Sequence, residues 1–93
     1  KWIYSEDGKT LFQNGWKRIK EEWYYFKDSY AIDGNWVYDN NAWYFLDRGT
    51  CKMINNCWKE INGEWYVFSI KGRMITGWYP NNEKWYYLNA HQY

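Results

Sequence analysis

Trp58-Lys59-Glu60-Ile61-Asn62-Gly63-Glu64-Trp65-Tyr66-Val67-Phe68 reads as two short strands around a tight turn, and that reading decides the fold. Asn-Gly between alternating apolar residues is the strongest short hairpin signal, because both turn residues tolerate positive φ. A two-residue turn pairs Glu60 with Trp65 and Trp58 with Val67. Side-chain alternation then predicts Trp58, Glu60, Trp65 and Val67 on one face, and Lys59, Ile61, Tyr66 and Phe68 on the other.

The same pattern recurs along the chain. Trp65-Tyr66-Val67-Phe68 has counterparts in Trp23-Tyr24-Tyr25-Phe26, Trp43-Tyr44-Phe45-Leu46 and Trp85-Tyr86-Tyr87-Leu88, with Trp2-Ile3-Tyr4 as a weaker first copy. A second Trp stands seven residues earlier in each full copy, at Trp16, Trp36, Trp58 and Trp78, so all nine tryptophans are placed. The intervals are 20, 22 and 20 residues, the longer one carrying an insertion within residues 50–57. Self-similarity at this period is the signature of a repeat architecture. The expected organisation is one repeat domain, 1–93, with a partial unit 1–15 and units 16–35, 36–57, 58–77 and 78–93.

Lys20-Glu21, Asn40-Asn41 and Asn82-Glu83 occupy the turn position of the other units. They are weaker turn formers than Asn62-Gly63, so register there is less firmly specified. Each hairpin is followed by a polar connection with one apolar residue, placing Leu11, Ile32, Met53 and Met74 in register. Short strands and loops leave little room for helix, and the predicted class is all-β. A lone hairpin is marginal in water, so the units must stack on one another as a β-hairpin solenoid of about four repeats.

Composition excludes several functions. Aromatic residues make up 26% of the 93 residues and charged residues 25%, with a net charge of +1. No apolar run approaches the roughly 20 residues of a membrane span. A charge this close to neutral lacks the basic excess that neutralising phosphates requires, so no nucleic-acid partner is expected. Acidic residues are scattered along the chain, no Gly-rich phosphate loop is found, and His91 is the only histidine, so neither catalytic residues, a metal site nor a cofactor is expected. Cys51 and Cys57 are open to two readings: a disulfide contributing roughly 2 kcal/mol, or two inert thiols. The chain opens on Lys1-Trp2 without an initiator Met, as expected of a piece of a longer protein.

The regular aromatics have two candidate roles. They can be the core of a repeat that has no other core, since burying an aromatic side chain contributes about 1.5–3 kcal/mol. They can also form pockets for a cation or a sugar face, chemistry that indole and phenol rings perform well. The Trp pair and Tyr24, Tyr44, Tyr66 or Tyr86 are constant, whereas Tyr25, Phe45, Val67 and Tyr87 vary at the next position. That contrast favours a shared task for the constant rings.

Gly15-Trp16 through Phe26, Gly77-Trp78 through Leu88, and the loop Gly72-Arg73-Met74-Ile75-Thr76-Gly77 resemble the choline-binding repeats of bacterial autolysins, phage endolysins and surface proteins. The resemblance covers essentially the whole chain. It implies a noncatalytic, extracellular module that docks choline or phosphocholine of cell-wall teichoic acids and anchors a linked domain, such as a wall hydrolase. It further implies aromatic cages built from two tryptophans of one unit and a tyrosine of the next, often with a loop methionine. Carried over by motif position, these are Trp16, Trp23 and Tyr44; Trp36, Trp43 and Tyr66; and Trp58, Trp65 and Tyr86, with Met53 and Met74 as the loop methionines. Trp78 and Trp85 have no following unit in this chain, and Trp2 has no preceding Trp partner. Arg18 falls on the Trp face, where its charge opposes a cationic ligand, whereas Glu60 takes the equivalent place beside Trp58 and Trp65 and favours one. The alternatives are a glucan-binding repeat and a structural spacer, with a homodimer compatible with either.

Overall fold

The computed structural model describes residues 1–88; His91 and its neighbours in the last five residues lie outside the described residues. Nine strands and no helix are found among the described residues. They are β1 (Gly15–Ile19), β2 (Glu22–Lys27), β3 (Tyr30–Ala31), β4 (Asn35–Asp39), β5 (Ala42–Leu46), β6 (Cys57–Ile61), β7 (Glu64–Phe68), β8 (Gly77–Asn81) and β9 (Lys84–Leu88). The strands form the hairpins β1–β2, β4–β5, β6–β7 and β8–β9, and β3 adds a third strand to the first. No helix is long and apolar enough to cross a membrane.

The predicted register is found at the Asn-Gly turn: Glu60 faces Trp65 and Trp58 faces Val67. It is repeated in the first hairpin, where Arg18 faces Trp23 and Trp16 faces Tyr25, and in the last, where Pro80 faces Trp85 and Trp78 faces Tyr87. The turns that lack glycine adopt the same geometry. Lys20 and Glu21 have φ of 52° and 69°, Asn40 and Asn41 49° and 62°, and Asn82 and Glu83 52° and 64°, beside 52° and 83° at Asn62 and Gly63. Positive φ at both central residues matches the twist of paired strands, and strand pairing imposes it even on Lys and Glu. Asp28 and Ser29 make one more such turn, at 51° and 75°, and this turn produces β3.

The chain folds as two compact units, Lys1–Val37 with Phe45–Met53, and Tyr38–Tyr44 with Ile54–Tyr93. In the first, Phe26, Ala31 and Cys51 form the buried centre, with Tyr4, Phe12, Ile19 and Tyr24 packed against it. Phe12 meets Phe26 edge-on at 5.4 Å, the geometry favoured by ring quadrupoles. Leu46 is fully buried and bridges Met53. In the second unit Ile61, Tyr66, Val67 and Phe68 are buried, and Phe68 bridges Met74. On the Tyr face of β6–β7, Ile61, Tyr66 and Phe68 are buried; on the opposite face Val67 is buried as well, while Trp65 stays 59% exposed.

A backbone link recurs in both units. The amide of Ala31 donates to the Trp2 carbonyl and that of Met53 to the Trp23 carbonyl, both at 2.9 Å, in the first unit. The amide of Met74 donates to the Trp43 carbonyl at 2.8 Å in the second. This link corrects one alignment: Ala31, not Ile32, is the counterpart of the methionines. Ala31 pairs with Phe26 as Met53 does with Leu46 and Met74 with Phe68. The tight Asp28-Ser29 turn shortens the connection, so Ile32 takes the next place, its amide bonding the Tyr25 carbonyl as that of Ile75 bonds Val67. Trp2-Ile3-Tyr4 forms no strand, being held instead through the Ala31–Trp2 and Phe12–Tyr4 backbone bonds.

Phe68 is 1% exposed at the centre of the second unit. Phe68→Ala is expected to destabilise the protein by about 3 kcal/mol or more in urea unfolding, the usual consequence of emptying a buried aromatic site.

Candidate functional site

In the second unit, hairpins β6–β7 and β8–β9 meet through Trp58. Its indole lies edge-on to Tyr86 at 5.5 Å with an interplanar angle of 73°, and edge-on to Tyr79 at 5.8 Å and 78°. Trp58, Trp65, Tyr86 and Asn81 line one open hollow of ≈ 340 Å³. Each ring arrives there by strand parity. Trp58 and Trp65 share the open face of their hairpin, and Tyr79, Asn81 and Tyr86 share the facing side of the next. Glu60 stands directly opposite Trp65 on the Trp face and is exposed. The result is a hollow walled by Trp58, Trp65, Tyr86 and Asn81 and open to water, with Glu60 on the same strand face as the two tryptophans but outside the lining. Its shape suits a compact cation or a flat apolar face better than an anion.

Alternation along β8 also yields two residues that repeat matching alone passes over. Asn81 adds a polar side chain to the lining. Tyr79, directly across the hairpin from Tyr86, also meets Trp58 edge-on.

The other sequence-predicted residues are placed as follows. Trp16 and Trp23 lie edge-on at 6.4 Å in the first unit, and Tyr44 belongs to the second. Trp36 belongs to the first unit, where it packs edge-on against Phe45 at 5.1 Å. Trp43 and Tyr66 belong to the second, where Trp43 lies 5.0 Å from Tyr38 and Tyr66 is buried. Met53 is buried and Met74 half-buried, each in its bridge, and neither lines the Trp58 hollow. Trp78 and Trp85 are 66% and 65% exposed.

Electrostatics away from the hollow are those of well-solvated loops. Asp7 is held down at about 2 by the backbone amides of Thr10 and Lys9 and the Ser5 hydroxyl, all of which bond its carboxylate. Lys17 pairs with Glu6, which raises its pKa, and its ammonium lies 5.7 Å from the ring centres of both Tyr4 and Phe12. Cys51 and Cys57 are free thiols, the first buried and the second exposed; burial raises the Cys51 pKa, and Asp33 adds to it. No group of three or more His, Cys, Asp or Glu able to hold a metal occurs among the described residues.

Several solved structures share the fold of this chain. One is the choline binding domain of a Streptococcus pneumoniae protein, 30% identical, aligned over 70% of this chain and 97% of that one with a TM-score of 0.62. The chain belongs to the choline-binding repeat family. The choline-binding repeat matches residues 55–92, and the putative cell wall binding repeat matches 14–29 and 32–48. The multimodular pneumococcal cell wall endolysin from phage Cp-1, solved with choline, is 33% identical over 87% of this chain, with a TM-score of 0.77. Choline binding protein F from Streptococcus pneumoniae, solved with a peptidoglycan analogue, is 34% identical over 96% of this chain, with a TM-score of 0.78. The chain spans 24% of the endolysin and 29% of choline binding protein F. No curated protein sequence matches it.

Choline-binding repeats are binding modules, and in this one the exposed ring of Trp65 contributes little to the core. Trp65→Ala is expected to change unfolding free energy by less than about 1 kcal/mol, in contrast to Phe68→Ala. Urea unfolding of the two variants side by side checks it.

Proposed function

We propose that this repeat array is a noncatalytic module that binds choline through Trp58, Trp65 and Tyr86. The observation that carries the reading is the hollow between two stacked hairpins, walled by those three rings and open to solvent. A quaternary ammonium offers no hydrogen-bond donor, so ring quadrupoles are its main recognition element, at about 0.5–1 kcal/mol per exposed contact and about 2 or more when desolvated. Three rings give a single-site Kd on the order of millimolar. Further support comes from family membership and from the choline complex of the phage Cp-1 endolysin.

Weak sites become useful in series. Trp16 with Trp23, in the first unit, is the corresponding tryptophan pair of an earlier repeat, and we assign it the same role. Several such sites on a choline-bearing polymer multiply affinity by raising the effective concentration of each successive contact. The natural ligand is then the phosphocholine of wall teichoic acid, and the module holds a linked domain at the cell wall from outside. Met53 and Met74 support this arrangement through the backbone links that fix the tryptophan carbonyls.

Titrating choline while following Trp fluorescence is expected to give a saturable change with a midpoint on the order of 1 mM. Trp58→Ala removes the ring shared by Tyr79 and Tyr86 and should weaken that site at least about tenfold, since it deletes a ring contact and opens the pocket. Soluble glucan serves as the competing ligand. A response to glucan with none to choline would replace this reading with carbohydrate stacking.

A further inference from the structure

The residue directly across the hairpin from the second Trp differs in charge between repeats while the Trp pair does not. It is Arg18 opposite Trp23, Glu60 opposite Trp65 and Pro80 opposite Trp85. Directly opposed residues place their Cβ atoms about 4.5–5.5 Å apart on one face, which puts this side chain beside the second Trp of its pair. Arg18 and Glu60 are both exposed, and neither has an ion-pair or hydrogen-bond partner among the described residues. Neither charge is explained by the packing of its own hairpin.

We propose that this cross-strand position sets the ligand charge each Trp pair prefers. Trp58 and Trp65, beside Glu60, take the bare quaternary ammonium; Trp16 and Trp23, beside Arg18, take a zwitterion that carries a phosphate next to its ammonium. The inference rests on the cation-binding reading above and adds to it that the repeats are not equivalent. Arg suits the phosphate because its planar fork donates two parallel hydrogen bonds to phosphate oxygens. A full charge about 6 Å away across water changes affinity by about threefold, enough to rank two ligands that otherwise fill the same rings. Such a preference fades at about 1 M salt, where screening acts within about 3 Å.

The indole N–H resonances of the nine tryptophans give a site-resolved readout by two-dimensional NMR, assigned with single Trp→Phe variants. Choline and phosphocholine are titrated into the wild-type chain, Arg18→Gln and Glu60→Gln. Trp16 and Trp23 should respond to phosphocholine at about threefold lower concentration than to choline, and Arg18→Gln should abolish that difference. Trp58 and Trp65 should show the opposite order, with the difference lost in Glu60→Gln. Phosphatidylcholine vesicles distinguish the source of the group: broadening of Trp16 and Trp23 there assigns it to a lipid surface, and its absence assigns it to a soluble or polymer-borne ligand, Arg18 being the reader in either case. Equal preference at the two pairs, or a preference untouched by Arg18→Gln, overturns this inference and leaves the cation-binding reading standing. Silence of Trp58 and Trp65 toward both ligands overturns the cation-binding reading itself.

Discussion

Parity across a two-residue turn is the constraint on which the rest of the structure depends. Because the turn fixes the register, each hairpin sorts its residues onto two faces with no freedom to compromise. In β6–β7, Ile61, Tyr66 and Phe68 are buried on one face, while the other carries Trp58 and Trp65, which meet the next hairpin or water, together with buried Val67. A slip of one residue would exchange the faces, burying the tryptophans and exposing Phe68. Backbone at positive φ on Lys20, Glu21 and Glu83 shows how strongly the pairing is enforced, since such residues disfavour that conformation.

Hairpins of this size cannot bury enough surface alone, and two kinds of contact relieve them. One is the amide-to-carbonyl bond that returns from the connecting loop to a Trp of an earlier copy, at Ala31, Met53 and Met74. The other is ring against ring, as where Trp58 meets Tyr79 and Tyr86. The first fixes the Trp backbone through atoms every residue possesses, leaving the indole side chains free for other work. The second closes only part of the space between the hairpins, and what remains is the hollow. The hollow is thus a by-product of stacking units whose large rings do not fill their own interface.

Much of this is legible in the sequence because Trp and Asn-Gly are rare, rigid and periodic. The hairpin at Asn62-Gly63 and its register follow from the turn alone, whereas the grouping of Trp58, Trp65 and Tyr86 comes from the resemblance to choline-binding repeats, by motif position. What escapes the sequence are features set by backbone geometry rather than by side-chain identity. The Asp28-Ser29 turn looks like ordinary loop, yet it generates β3 and moves Ala31 into the place Ile32 holds by simple counting. Trp2-Ile3-Tyr4 carries the motif's residues but no paired strand, so it remains irregular. Asn81 is hidden because it neighbours a turn, where a polar residue ordinarily signals only solvation.

The central claim is that the rings of Trp58, Trp65 and Tyr86 enclose a quaternary ammonium. Intermolecular nuclear Overhauser contacts between the N-methyl protons of bound choline and assigned aromatic protons test it most directly. The account predicts contacts from a single methyl resonance to all three rings at saturating choline. Contacts confined to other aromatic residues, with none to Trp58, Trp65 or Tyr86, would contradict it.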